Sequence, residues 1–319
     1  MMFTFKASLL TLLFALLLPI SLSQLSVGFY DATCPTAESI VSNAVASAAN
    51  TDPRVPAVLL RLHFHDCFVG GCDGSILVDA GPNSEKNADG HQGVAGFEII
   101  DNIKSQLESA CPGVVSCADI VALAARDSIV AASGPSYQVP TGRRDGNVSD
   151  LSMAANMPEV DDNIDTLMGK FGNQGFSERE LVLLSASHTI GTTACFFMGK
   201  RLFSFSPQSA SDPEISPLFI NELRSVCPED GDINVRLAMD RNSELIFDRS
   251  IMQNMRDGFA VLASDARLYE DSRTRTLVDF YLDGSTFEDD YVAVIVKLGQ
   301  LGALTGTAGG IRRVCSAFN

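Results

Sequence analysis

The chain has 319 residues, of which 46% are apolar, and a net charge of −16. That length and apolar content allow a large core in one domain or in two packed subdomains. Nucleic acids and anionic membranes both need clustered Lys and Arg, so the acidic balance excludes them as expected partners.

Residues 1–23 are expected to form a secretory signal peptide. Lys6 gives a positive start, "LLTLLFALLLPI" is an apolar core, and "SLS" at 21–23 offers the small residues of a cleavage site. The apolar run is shorter than the ~20 residues that a bilayer span needs. We therefore expect an exported protein whose mature part, residues 24–319, is a single compact unit.

All eight cysteines lie in the mature part: Cys34, Cys67, Cys72, Cys111, Cys117, Cys195, Cys227 and Cys315. An even number of cysteines in an exported chain predicts disulfides, although the sequence alone leaves their pairing open. Paired CxxC knuckles and a CxxCH motif are missing from the sequence. A structural zinc site and a covalently attached haem are therefore disfavoured.

Apolar residues recur at helical spacing along most of the chain, which predicts an all-α fold. In chain order the expected helices are 52–68, 97–110, 116–132, 177–187, 217–227 and 288–304. Their starts carry cap signals, namely Asp52, Ser116 with Asp119, Ser177 with Glu180, and Ser216 before Pro217. Gly- and Pro-rich loops fill 80–96, 133–146 and 204–216, and "HTIGTT" at 188–193 is the one short strand pattern.

The stretch "RLHFHDCFVGGCDGS", residues 61–75, concentrates groups that could act as catalysts or ligands. On a helix Arg61 and His65 share one face, whereas His63 points elsewhere. The Arg61 cation disfavours a second positive charge, so it keeps His65 neutral and able to accept a proton. A core histidine beside a surface arginine would give the same pattern, so both interpretations stay open.

Side-chain oxygens follow directly after His65. Asp66, Asp73 and Ser75 lie in a glycine-containing loop, and hard oxygen ligands of this kind suit Ca²⁺. A solvated acidic loop is the alternative. Cys67 and Cys72 flank the turn, but their spacing is not CxxC and no βαβ pattern surrounds them, which disfavours a redox pair.

The segment "HFHD" also matches the start of the HxHxD motif of metallo-β-lactamase-like zinc hydrolases. That motif follows a strand and needs further histidines close behind. The chain has only four histidines, which leaves too few ligands for two zinc ions. A zinc hydrolase is therefore the weaker alternative.

Two longer motifs carry a family resemblance. "LLRLHFHDCFVGGCDGSILV" (59–78) and "LVLLSASHTIGTTACF" (181–196), with "CPGVVSCADIVALAARD" and "VPTGRRDG" between them in matching order, closely resemble the secretory plant (class III) haem peroxidases. The resemblance extends from about Gln24 to Cys315. It implies the all-α haem peroxidase fold, in which distal and proximal helical subdomains sandwich one non-covalent b-type haem.

The resemblance also implies an activity, that of a donor:hydrogen-peroxide oxidoreductase. Such an enzyme reduces H₂O₂ and oxidises phenolic or other small aromatic donors in two one-electron steps through a ferryl intermediate. His65 would be the proton acceptor, Arg61 the transition-state stabiliser, and Phe64 would pack over the haem. His188 would be the axial iron ligand and Asp265 its hydrogen-bond partner. The expected protein is monomeric and lies in the extracellular space or cell wall.

Further site residues come from the same resemblance. The carbonyl of Pro140 would meet aromatic donors at the haem edge. One calcium ion would be bound by Asp66, Val69, Gly71, Asp73, Ser75 and, through water, Glu85. A second would be bound by Thr189, Asp240, Ser243, Ile246 and Asp248. The implied disulfides are Cys34–Cys111, Cys67–Cys72, Cys117–Cys315 and Cys195–Cys227. Asn147, in the sequon Asn147-Val-Ser, is the expected glycosylation site.

One segment departs from the family pattern. Relatives carry an asparagine six residues after the glutamate, and its side-chain carbonyl accepts the distal histidine's N–H. Here "EKNADGHQGVAGF" (85–97) is one residue short and puts Gly90 or His91 at that place. Asn87, Asp89 or His91 could supply the acceptor. We hypothesise that His65 is a less effective base than in typical relatives. The alternative function is a catalytically impaired, calcium-stabilised secreted binding protein.

Overall fold

The structure, a computed structural model, describes residues 24–229, 232 and 234–319. The expected signal peptide lies outside these described residues. The helices are α1 (Ala37–Thr51), α2 (Val55–Val69), α3 (Phe97–Ala110), α4 (Cys117–Ala131), α5 (Ile164–Asn173) and α6 (Glu178–Ser185). They continue with α7 (Gly199–Phe203), α8 (Pro217–Val226), α9 (Ser250–Asp257), α10 (Ala263–Glu270), α11 (Ser272–Asp283) and α12 (Phe287–Leu298).

Among the described residues, strand structure is limited to two strands. β1 (Thr192–Ala194) pairs antiparallel with β2 (Arg236–Ala238). Short 3₁₀ turns complete the regular structure: Ser75–Leu77, Glu85–Asn87, Asp89–His91, Leu151–Asn156, Ala186–Thr189 and Cys195–Met198. The predicted all-α class is therefore confirmed. None of the helices in this part of the chain combines the length and apolarity that crossing a membrane requires.

Helix starts follow the cap signals only in part. Ser177 and Glu180 form the full reciprocal capping box at α6. At α4 the Ser116 hydroxyl accepts the Asp119 N–H at 3.1 Å, but the Asp119 carboxylate turns to other partners. Asp52 does not cap α2. It follows the end of α1, and its carboxylate accepts the backbone N–H of Arg54 at 2.9 Å.

Helix α2 separates two hydrophobic cores. Leu59 and Leu62 pack into a core with α1, α3 and α4, whereas Leu60 and Phe68 pack into a second core with α5, α6 and α9–α12. A helix that is apolar on most of its circumference is buried on more than one side. The polar residues of α2 are therefore held in a rigid wall between the two halves of the protein.

Four disulfides connect distant parts of the chain. The pairs are Cys34–Cys111, Cys67–Cys72, Cys117–Cys315 and Cys195–Cys227, the same pairs that the family resemblance implies. Cys117 and Cys315 are 198 residues apart. In the chain-entropy model a crosslink over so long a loop stabilises the folded state by about 4–5 kcal/mol.

A buried carboxylate, that of Asp119, ties the two ends of the chain together. It accepts hydrogen bonds from Tyr30 Oη at 2.6 Å, from the Gly142 N–H at 2.7 Å and from Arg143 Nη1 at 2.7 Å. Arg143 in turn donates from Nε to the Gly299 carbonyl at 2.7 Å. Burial, followed by the Asp119 charge, raises the pKa of Tyr30, so its hydroxyl stays a donor.

We expect Asp119→Asn to lower the free energy of unfolding by about 3–5 kcal/mol, because the Arg143 guanidinium would stay buried without its counter-charge. Urea unfolding of the purified protein measures the loss. Asp289→Asn is the matched control: Asp289 is exposed in the first turn of α12, and its loss costs less than about 1 kcal/mol. Equal midpoints for the two variants would contradict the role given to Asp119.

Candidate active site

Arg61 and His65 lie one turn apart on α2, as their spacing predicts. His65 is buried, with 7% of its surface exposed. Phe64 stacks on Phe68, with ring centroids 4.9 Å apart. His63 points to the other side, where its Nδ1 lies 3.6 Å from Cys67 Sγ. Burial, followed by the Arg143 charge, lowers the pKa of His63 to about 3, so His63 is a neutral core residue.

Of the three residues that the sequence left open as acceptors, His91 is the one whose side chain meets His65. Its Nδ1 lies 2.9 Å from Nδ1 of His65. The residue after His91 positions Arg61. Arg61 Nη2 donates a hydrogen bond to the Gln92 carbonyl at 3.0 Å. Sequence reasoning missed Gln92, since a backbone carbonyl has no side-chain signal. The 3₁₀ turn Asp89–His91 and the residue after it thus contact both Arg61 and His65.

The charges of these groups follow from their surroundings. Desolvation, followed by the positive charges of Arg61, His91 and His188, holds the pKa of His65 well below its usual range. Desolvation, followed by repulsion from Arg236, lowers the pKa of Arg61 to about 10. These shifts leave Arg61 a cation and His65 a neutral base at neutral pH, in agreement with the predicted charge pattern.

Arg61 is exposed by area, yet the fall in its pKa comes mainly from desolvation. The two are compatible, because solvent reaches part of the side chain and protein atoms surround the rest. His188 behaves alike, with 35% of its side chain exposed in spite of strong desolvation. Arg61 lies close enough to lower the pKa of both histidines, and His188 lies close enough to lower that of His65.

His188 lies in the 3₁₀ turn Ala186–Thr189 that follows α6. Its Nδ1 lies 2.9 and 3.0 Å from the two carboxylate oxygens of Asp265, a buried residue of α10. Burial lowers the pKa of His188, but the charge and hydrogen bonds of Asp265 outweigh it, and the net pKa is raised. Since a carboxylate only accepts, Nδ1 carries a proton and Nε2 is left to bind a metal, as in many metal-bound histidines.

Buried oxygens without partners lie in the last turn of α2 and in the loop that follows it. Asp66 Oδ1, Ser75 Oγ and both carboxylate oxygens of Glu85 lack any hydrogen bond, whereas Asp66 Oδ2 accepts the Gly74 N–H at 3.1 Å. Such orphaned acceptors are costly unless a cation or donor meets them. The space is tight, because a side chain at Gly146 would come within 2.1 Å of Asp73 Oδ2.

Mutual repulsion of carboxylates supports the same cation site. Desolvation, followed by the charges of Asp73 and Glu85, raises the pKa of Asp66 well above its usual range, and desolvation also raises that of Asp73. Across 24–229, 232 and 234–319 no three His, Cys, Asp or Glu side chains converge as a metal cluster. A calcium ion here would therefore need the Ser75 hydroxyl and the backbone carbonyls of Val69 and Gly71 as well.

A second group of oxygens lies beside His188. The Thr189 hydroxyl is 3.1 Å from Asp240 Oδ2 and 3.1 Å from Asp248 Oδ1, and Ser243 Oγ is 3.5 Å from the same oxygen of Asp248. Desolvation raises the pKa of Asp240. The residues expected for the second calcium ion are thus together, and Ile246 joins them through its N–H to the Ser243 carbonyl at 2.7 Å.

Two further predicted residues have clear surroundings. The Pro140 carbonyl accepts from Arg143 Nη1 at 2.8 Å, so one of its lone pairs is already used. Asn147 is exposed in its loop, and the hydroxyl of Ser149, the third sequon residue, accepts the Glu85 N–H at 3.1 Å. An exposed asparagine is accessible to a glycan.

Comparisons with known proteins agree with this arrangement. A family model described as "Peroxidase" matches residues 41–284. Peroxidase 43 of Arabidopsis thaliana is 62% identical over 94% of both chains, and Peroxidase 13 of the same plant is 52% identical over 94% of both. Peroxidase N1 of Nicotiana tabacum is 45% identical over 92% of this chain and 90% of its own. The chain therefore belongs to the peroxidase family, and the resemblance to the secretory plant peroxidases that its motifs indicated is confirmed.

Proposed function

We propose that this protein is a secreted haem peroxidase that reduces H₂O₂ and oxidises small aromatic donors such as phenols. One observation carries the proposal: two histidines that lie close enough to interact have different polar partners. His188 is held by the Asp265 carboxylate, and His65 lies one helical turn from the Arg61 cation. An electron-rich ligand and a neutral base with a nearby cation are what peroxide reduction needs.

The proximal residues suit a b-type haem. His188 would hold the iron through Nε2, because Asp265 takes the proton of Nδ1 in its hydrogen bond. Haem, when bound, supplies an iron centre that takes up electrons one at a time from donors and passes them to peroxide. The Asp265 carboxylate increases the basicity of His188, which favours the electron-poor states of that iron.

The distal residues handle the protons and charge of the peroxide. His65 Nε2 takes a proton from H₂O₂ and returns it to the departing oxygen, which leaves as water. Arg61 stabilises the negative charge that develops as the O–O bond breaks. Phe64 packs above the same space and narrows the access of donors. Two donor molecules each give one electron, so that one H₂O₂ with two protons becomes two waters.

The remaining residues stabilise and locate the enzyme. Two calcium ions would be bound as the sequence predicts, one beside His65 and one beside His188. Each ion would hold the backbone next to one of these histidines in place. Pro140 would meet the donor with its free lone pair, and Asn147 would carry a glycan. We infer that residues 1–23 direct export of the unit 24–319 to the extracellular space or cell wall, where it acts as a monomer.

The alternatives have less support. An impaired binding protein was suggested by the missing asparagine, but His91 Nδ1 lies 2.9 Å from His65 Nδ1 and gives His65 a hydrogen-bond partner. A zinc hydrolase would need His63 and His65 to act together, whereas they point to opposite sides of α2. A peroxidase needs only His65 at the site and leaves His63 as a core residue on the other side of α2.

An absorption spectrum of the purified, haem-supplied protein tests the function. We expect a ferric haem band that shifts on addition of H₂O₂ and returns when a phenol is added. His188→Ala should lose the haem, because it removes the imidazole that would hold the iron. His63→Ala is the control and should keep both haem and turnover. A wild-type protein that binds no haem would overturn the proposal.

Removal of calcium tests the two cation sites. We expect EGTA to lower the thermal midpoint at neutral pH, because the buried carboxylates of Asp66 and Asp73 would then repel each other without a counter-charge. Added Ca²⁺ should restore the midpoint, whereas Mg²⁺ should not, since it prefers a smaller octahedral site. If metal analysis finds no calcium and EGTA has no effect, the calcium assignment is wrong.

A further inference from the structure

We propose that Arg236, in strand β2, binds a propionate carboxylate of the haem through its guanidinium group. The inference rests on the proposed function, because it needs a haem that is held by His188. Neither the family motifs nor the predicted site residues include Arg236. A b-type haem carries two propionate carboxylates at one edge, and a carboxylate that leaves bulk water needs a cation or a hydrogen-bond donor.

The β1–β2 pairing determines where the Arg236 side chain goes. Arg236 is opposite Ala194, and residues directly opposite in an antiparallel pair lie on the same face of the sheet. Thr192 is two residues from Ala194 and shares that face. Arg236 donates from Nε to Thr192 Oγ1 at 2.8 Å and from Nη2 to the Thr192 carbonyl at 2.9 Å. The guanidinium is therefore held in one orientation although the residue is exposed.

This guanidinium keeps donors for a further partner. Both of its hydrogen bonds go to Thr192, and within 24–229, 232 and 234–319 its Nη1 meets no acceptor and no acidic side chain forms a salt bridge with it. By contrast, Arg241, which follows β2, pairs with Glu222 at 2.7 Å. An arginine that is fixed in orientation but lacks a counter-charge among these residues can bind a carboxylate from a ligand.

The segment that holds Arg236 packs against α2 beside Arg61. A Cβ at Gly191, the residue before β1, would come within 2.6 Å of the Cβ of Ala57. Ala57 precedes Arg61 by about one helical turn. The charge of Arg236 reaches Arg61 as well, since it adds to desolvation in lowering the pKa of Arg61. Arg236 therefore lies on the side of the β1–β2 pair that is next to the distal residues.

The same segment is connected to the proximal histidine. Thr192 follows His188 by four residues, so their Cα atoms are at most ~14 Å apart. A haem held by His188 and facing Arg61 would occupy the space between the two residues. Its edge would then pass the β1–β2 pair, where Thr192 holds the Arg236 guanidinium.

A propionate fits this position better than the carboxylate of a phenolic substrate. Two neighbouring guanidinium groups repel each other unless an anion compensates one of them. Arg61 has to stay available for the charge that develops on peroxide, and a substrate is present for only part of each cycle. A propionate stays as long as the haem is bound, so it can neutralise Arg236 permanently.

Transfer of haem to an excess of haem-free myoglobin tests the proposal without turnover. The ferric holoenzyme is prepared with protohaem or with its dimethyl ester, in which both carboxylates are blocked. We expect Arg236→Leu to release protohaem about 5–10-fold faster than wild type, because a charge-assisted hydrogen bond is lost. Release of the dimethyl ester should change by less than ~2-fold, because the ester has no charge for Arg236 to meet.

Arg313→Leu is the matched control, because Arg313 is also exposed and should leave both release rates unchanged. Equal acceleration for the two haems would show that Arg236 only holds the strands together, and the proposal would be wrong. An unchanged rate for protohaem, with a raised KM for carboxylated phenols alone, would place the anion on the substrate and also refute it. A wild type that binds no haem would instead refute the proposed function, so the two failures are distinguishable.

Discussion

The site depends on the hydrogen bond that His188 and His65 each make at Nδ1. An imidazole has two similar nitrogens, and whichever partner binds one decides what the other can do. For His188 the partner is the Asp265 carboxylate, which leaves an unprotonated Nε2 for a metal. For His65 the partner is His91. The same ring can therefore serve as an electron-rich ligand on one wall and as a proton carrier on the other.

These hydrogen bonds need rigid supports, and the fold provides them from several directions. Helix α2 is packed into both cores, so Arg61 and His65 cannot shift without disturbing either half. The Cys67–Cys72 bridge fixes the loop that follows. The acidic residues proposed to bind calcium begin at Asp66, directly after His65. The end of α2 therefore carries the distal residues Arg61 and His65, a disulfide and the first residue proposed to bind calcium.

The sequence predicted the parts of this site that depend on local spacing. Periodicity located six of the twelve described helices, namely α2, α3, α4, α6, α8 and α12. Four-residue spacing placed Arg61 and His65 on one face. It failed where tertiary partners override local signals: Asp119 leaves its capping position for Tyr30 and Arg143, and Asp52 bonds Arg54 at the end of α1. It could not choose among Asn87, Asp89 and His91, because that choice depends on how an irregular turn packs against residues some sixty positions later in the chain, at Leu151–Asn156.

The choice of His91 also changes the expected strength of the base. The hypothesis of a weaker His65 assumed that its N–H had lost an acceptor, and the 2.9 Å contact removes that reason. A neutral imidazole nitrogen is a stronger base than an amide carbonyl. The hydrogen bond from His65 should then be at least as strong as one to asparagine. The missing residue in "EKNADGHQGVAGF" therefore replaces one acceptor with another, and makes the distal base depend on the orientation of a second ring.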